Sequence, residues 1–235
     1  MNKLFSNAFS FVGATILLAS YATATLAEDS KNSGFLKDYS LLKQEQDSAS
    51  SPVQRYINPK LSSGSYKKII IDPVVYFPEA QPSEKVDAET LAEIKSYLTD
   101  TLRQKVGDQI PLVDQPGPGV VQMRTAITGV AAQKQGLKPY ELVPIGFLIS
   151  RMKTAKLDSA VNVEVELLDS VSGELLGEVV KQGVGDAVDA AADAKLTFSD
   201  VQPVLDRWSI QAADFAKSGF VVDTGGATAA DILGQ

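Results

Sequence analysis

The chain has 235 residues with 22 basic and 29 acidic side chains, a formal net charge of −7, and neither histidine nor cysteine. That balance repels phosphate backbones and anionic head groups, which argues against a nucleic-acid partner. The missing residue types remove the usual zinc sites, Ser-His-Asp and Cys-His catalysis and disulfides. A hydrophobic content of 44% with 22% charged residues is that of a globular protein able to bury its own core.

Met1, Asn2 and Lys3 make a short positive start before an apolar run from about Ala8 to Ala19. Charge followed by an apolar segment too short to span a bilayer is the order of a secretory signal peptide, expected over residues 1–27. Cleavage is expected after Ala27, before Glu28, with the Ala22-Thr23-Ala24 site, cut after Ala24, as the alternative. An uncleaved anchor from Ala8 to Leu26 is the competing reading. Leu18, Ala19 and Ser20 would precede the lipidated cysteine of a bacterial lipoprotein, yet Tyr21 follows them. A thioether needs sulfur, so no lipid anchor is expected, and the mature protein should be soluble in the periplasm or the medium.

Residues 28–65 read as an extended tether carrying a docked segment at 33–43, because Phe35, Leu36, Tyr39 and Leu42 can share one face of a short helix. A mixed α/β domain over 66–219 follows. It opens with a β-branched strand, Tyr66 to Ile71, stopped by Asp72-Pro73. A helix capped by Asp87 comes next, with Leu91, Ile94, Leu98, Leu102 and Val106 at helical spacing and Gly107 as its left-handed exit. A strand is expected from about Val120 to Gly129, then a helix within Tyr140 to Ala155, after Pro144, carrying Phe147, Leu148 and Met152.

From Ala160 to Leu168 apolar and polar residues alternate, predicting a strand with one face on the core and Glu164 and Glu166 toward water. Asp169 to Gly173 is a turn, and Glu174 to Lys181 returns as the second hairpin strand. Asp186 to Ala194 suggests a weak helix. The last helix is expected from a Ser199 cap to Gly219, with Pro203 in its first turn and Val204, Leu205, Trp208, Ala212 and Phe215 as its buried stripe. Residues 220–235 read as a flexible tail. Half-wet strands and amphipathic helices must cover each other, so the expected fold is a twisted mixed sheet with helices packed on one side.

Three phrases carry a family resemblance. Ser33 to Leu42 (SGFLKDYSLL) resembles the opening motif of the bacterial envelope family catalogued as domain of unknown function 3313. Val163 to Glu174 and Asp200 to Leu205 look like its later landmarks, so the likeness runs over about 33 to 217. Members are typically predicted lipoproteins without assigned activity, so the resemblance implies an envelope address and no reaction. Tyr21, where their lipidated cysteine would stand, departs from that pattern. The architecture is also similar to the α/β sandwich of outer-membrane assembly and secretion accessory proteins, but fold does not fix function.

Candidate chemistry is sparse. Ser150 and Lys153 match the S-x-x-K spacing of serine acyl-enzymes, without the companion motifs. Glu164 and Glu166 stand about 6.5–7 Å apart along one strand face, a pair that could serve glycosidase acid/base work. Alternation alone also demands polar residues there. Asp186, Asp189 and Asp193 could share a helix face and attract calcium, but lack the loop of a calcium hand. Gly183 and Gly185 do not extend into a phosphate-binding loop. Trp208 reads as core.

No catalytic residue, cofactor or metal is therefore expected, and composition carries no signal of oligomeric state. The expected function is that of a non-catalytic envelope protein that binds another envelope protein, through the sheet edge or the Phe35 to Leu42 segment. A carboxylate hydrolase of cell-wall or glycan material and a small-ligand carrier are the alternatives.

Overall fold

A computed structural model describes residues 32–46, 52–134, 157–188 and 195–220. Its strands are β1 (Lys43–Gln46), β2 (Pro52–Ile57), β3 (Lys68–Ile71), β4 (Val75–Tyr76), β5 (Val120–Lys134), β6 (Leu157–Asp169) and β7 (Leu175–Val188), and its helices α1 (Ala88–Gly107) and α2 (Phe198–Lys217). Among the described residues these strands form one open, mixed sheet in the order β1-β2-β7-β6-β5-β3, with β4 also pairing β5. β3 and β4 run parallel to β5, and the other pairs are antiparallel. Both helices cover the same face, so the fold is the mixed α+β sheet that the alternation of patterns predicts. No helix among the described residues is long and apolar enough to cross a membrane.

α1 forms for the reasons its sequence gives. The Asp87 carboxylate accepts the Thr90 amide at 2.9 Å, and Leu91, Ile94, Leu98, Leu102 and Val106 make one buried stripe. Its exit differs from expectation: Gly107 stays helical, and the helix closes through a right-handed Asp108 whose amide reaches the Gln104 carbonyl. α2 starts at a Thr197 cap instead of Ser199. The Asp200 carboxylate takes hydrogen bonds from both the amide and the hydroxyl of Thr197, each at 2.7 Å, and that box outcompetes the lone serine two residues on. Pro203 consequently lies inside the helix, beyond the first turn. Val204, Leu205 and Trp208 are buried as expected, whereas Ala213 and Ala216 replace Ala212 and Phe215 as its most buried later positions.

Several boundaries move. Residues read as tether supply β1 and β2, which extend the sheet beyond β7. β5 continues past Gly129 through a register shift between Ile127 and Gly129, and β7 continues to Val188, through the start of the expected Asp186 to Ala194 helix. Phe220, assigned to the tail, is buried: its ring meets Phe215 edge-on at 5.5 Å, and its carbonyl accepts the Ser62 hydroxyl at 3.1 Å. The helix expected within Tyr140 to Ala155, the signal peptide with both cleavage sites, and residues 221–235 lie outside the described residues.

Candidate functional site

The sheet presents two faces, and each holds a group of polar side chains. On the face away from the helices, cross-strand register places Arg124 of β5, Glu166 of β6, Glu178 of β7 and Tyr56 of β2 in one row. Glu164 sits one step along β6 on the same side. Sequence alternation puts Glu164 and Glu166 on a water-facing surface, but Glu164 is 3% exposed, and Glu166 and Glu178 are 0% exposed. The expectation fails because the Ser33 to Leu42 segment lies across them as a strap.

The strap explains its own sequence. Leu36 is buried, and Asp38 caps a single 3-10 turn, Tyr39–Leu41, by accepting the Ser40 amide at 2.9 Å and hydroxyl at 2.6 Å. That bonding holds the Asp38 carboxyl below the usual range. The expected short helix is therefore this one turn. Tyr39 is the hub: its hydroxyl accepts the Gly34 and Leu36 amides and donates to Glu164 Oε2 at 2.6 Å, where the Ser33 hydroxyl also donates at 2.8 Å. Burial, then the Glu164 carboxylate, raise the Tyr39 phenol above its ordinary range. Arg124 is held from two sides, by Glu166 Oε2 at 2.5 Å and by the Phe35 ring, whose centroid lies 5.2 Å from the guanidinium carbon.

Glu178 has neither partner. Among the described residues both its carboxylate oxygens, and Oε1 of Glu166, lack a hydrogen bond. Burial pushes the Glu178 carboxyl up to about 7; the Asp38 amide opposes this without reaching hydrogen-bond geometry, while the charges of Glu166, Asp38 and Glu164 add to it. The Glu164–Glu166 pair does come together on one face, but Glu164 Oε2 is committed to the strap and Glu166 Oε2 to Arg124, and both residues are buried. Acid/base chemistry on a glycan has no access there.

The other face holds a cavity of about 440 Å³ between the sheet and the two helices. A second cross-strand row, Thr125, Val165, Val179 and Arg55, forms part of its floor. Leu98 and Leu102 of α1, Trp208 of α2 and Phe220 wall it. Toward β2 it opens between Lys181, Gln211 and the exposed Asp214. Arg55 is bound to Glu45 at 2.5 Å, and Lys181 donates to Gln211. Thr125 is 4% exposed, and its hydroxyl has no partner among the described residues.

The remaining sequence candidates fall elsewhere. Gly183 and Gly185 lie where α2 presses on β7. A Cβ at Gly183 would stand 2.1 Å from Val204 Cγ1 and 2.7 Å from Trp208 Cζ2, and one at Gly185 would stand 2.2 Å from the Asp200 carbonyl oxygen. They are contact points for a helix, as their lack of a loop motif suggests. Trp208 is core, 7% exposed, and also cavity wall. Asp186 belongs to a strand, so it cannot share a helix face with Asp189 and Asp193, which lie outside the described residues along with Ser150 and Lys153. Sequence reading passed over Arg124, Glu178 and Thr125. Alternation along β5 could have put Arg124 on the face of Glu166, but only pairing makes them neighbours.

The model of a family described as protein of unknown function, DUF3313, matches residues 31–212. Two Escherichia coli proteins, both described as uncharacterized lipoprotein YdcL, from strain K12 and from O157:H7, are each 29% identical over 204 residues, covering 85% of this chain and 91% of their own. Among solved structures, the PelC dodecamer from Paraburkholderia phytofirmans is similar at 10% identity and a TM-score of 0.35, over 73% of this chain and 98% of that one. Protein XCC0632 from Xanthomonas campestris is similar at 7% identity and a TM-score of 0.41, over 69% and 90%.

Proposed function

The chain belongs to the DUF3313 family of proteins of unknown function, and from that premise we propose that it is a non-catalytic binding protein of the bacterial cell envelope, exported to the periplasm, whose ligand occupies the cavity between the sheet and the helices. The observation that carries the reading is the cavity itself. Its 440 Å³ falls inside the roughly 300–1,000 Å³ range of small-molecule sites. Its walls are aliphatic and aromatic, with a few polar groups at the rim and Thr125 on the floor, the composition such sites use.

The envelope address draws support from the lipoprotein relatives and from the charge-then-apolar start of the chain. With no cysteine to acylate, we infer a mature protein free of a lipid anchor. A partner from the envelope stays within this proposal, and it would meet the outer edge of β1, because Leu36 and Tyr39 of the strap are already spent on the sheet. The hydrolase alternative gains nothing, since Glu164 and Glu166 are closed off.

The test uses N-phenyl-1-naphthylamine, an uncharged probe that brightens in apolar surroundings, with Trp208 as an internal reporter. The wild type should give a saturable signal, and Ala216→Leu, which puts methyl groups into the cavity, should lose it while keeping or raising its melting temperature. No saturable signal from the wild type would defeat the reading. Intact-mass analysis of periplasmic extract should find a chain beginning at Glu28 without acyl groups.

A further inference from the structure

Resting on the cavity reading above, we propose that the ligand is an uncharged lipid-like molecule carrying one hydroxyl or carbonyl group, and that the Thr125 hydroxyl recognises that oxygen. Three observations carry this. The first is volume: at about 30 Å³ for each water-sized group, 440 Å³ accommodates roughly fifteen of them. That is the size of a medium-length alkyl chain with a small head.

The second is charge. The mouth carries two cations, Arg55 and Lys181, but Arg55 is bound by Glu45 through Nε and Nη2, Lys181 is engaged by Gln211, and Asp214 stands on the same rim. Two positive and two negative groups leave no surplus of either sign to attract a carboxylate or an ammonium head. An anionic ligand would have to displace Glu45, and a cationic one would gain only the exposed Asp214, where attraction is weak.

The third is the unmet hydroxyl. Thr125 lies on the cavity floor, three strands from Arg55 in the same cross-strand row, with Val165 and Val179 between them. At about 4.8 Å per strand that is roughly 14 Å of sheet, so the hydroxyl sits on the far side of an apolar span from the charged rim. A buried hydroxyl without a partner costs stability, and a valine of nearly the same shape would avoid that cost. A ligand oxygen placed against it supplies the missing bond inside an otherwise apolar space, where the bond is strongest.

The experiment measures displacement of N-phenyl-1-naphthylamine by 1-dodecanol, dodecane, dodecanoate and dodecylammonium, on wild type, Thr125→Val and Thr125→Ser. The wild type should prefer dodecanol to both charged analogues. Thr125→Val should lose about three- to tenfold of its dodecanol affinity, the worth of one hydrogen bond, and should lose less for dodecane, which has no oxygen to place against the hydroxyl. Thr125→Ser should restore the dodecanol affinity. Equal dodecanol affinity in wild type and Thr125→Val, or tighter dodecanoate than dodecanol, overturns this inference while leaving the cavity reading standing. Failure of the naphthylamine to bind at all overturns both.

Discussion

The two faces of the sheet bury polar groups in opposite ways. Away from the helices, three carboxylates are enclosed and one half-exposed arginine is held by a ten-residue strap, Ser33 to Leu42, and most of the specificity lies in named hydrogen bonds: Tyr39 and Ser33 to Glu164, Arg124 to Glu166. Toward the helices the buried polar groups are hydroxyls, Ser159 bonded to the Asp200 carbonyl, Ser209 to the Leu205 carbonyl and Thr125 without a partner among the described residues, and close packing at Gly183 and Gly185 sets where α2 lies. The first face is therefore a locked surface in which Glu164 and Glu166 are held by partners and Glu178 is buried without one. The second is a wall whose shape can admit a guest. Substitutions should separate them: changes under the strap should cost stability and spare probe binding, while changes below α2 should alter both.

The largest effect belongs to Arg124. Arg124→Met leaves the buried Glu166 without its cation and strips Phe35 of the guanidinium, and should destabilise by about 3 kcal/mol, the low end for breaking a buried pair because the Arg124 side chain is 39% exposed. The double variant Arg124→Met with Glu166→Leu should recover much of that loss, because no unpaired charge remains. Urea denaturation of the two variants decides the point. A double variant no more stable than the single one would mean that the strap is held by packing alone.

Next comes Gly183. Gly183→Ala drives a methyl group into Val204 and Trp208, and helix displacement should cost about 3 kcal/mol, the upper end of ordinary overpacking. Because Trp208 moves with α2, its emission should shift and naphthylamine binding should weaken. A smaller loss is expected under the strap. Tyr39→Phe removes the bond to Glu164 and the acceptor for two strap amides, at about 2 kcal/mol, with probe affinity unchanged. Thermal melting and probe titration on the same samples would expose any crossover between the two faces.

What could be foreseen tracks how local each cause is. The stripe and cap of α1 are contained within twenty-odd consecutive residues, and the structure reproduces them. In the strap, Phe35, Leu36, Tyr39 and Leu42 mark a local island that can share one face of a short helix, but the single 3-10 turn and the Tyr39 bond to Glu164 come from the sheet it meets. Pairing across distance was not legible. β1 is the polar run Lys43–Gln46 and β2 begins at a proline, so neither announces a strand, and both exist because β7 offers an edge. Glu164 and Glu166 illustrate the same limit: alternation identifies which residues share a face, but whether that face meets water depends on a strap 131 positions away in sequence. The Thr125 cavity is further still from legibility, since its volume is what remains between layers after every element has settled.

Glu178 offers the finest measure of the locked face, through pH. Its carboxyl is pushed from the ordinary 4.5 up to about 7 in the folded protein, chiefly by burial. Between those values the folded state holds a proton that the unfolded chain has released, so stability contributed by this group is complete below about pH 4.5 and is lost as pH rises through about 7. Glu178→Gln keeps the shape and removes the ionisation. It should flatten that slope and leave the variant more stable than wild type at pH 8 by about 1–2 kcal/mol, the full shift being discounted for water reaching the strap's margin. The strap supplies the control: if solvent entry beneath it sets the shift, Tyr39→Phe should move the midpoint of the slope back toward 4.5. Melting curves from pH 4 to 9 on wild type and both variants would show it, and a wild-type slope that Glu178→Gln leaves intact would assign the titration to another group.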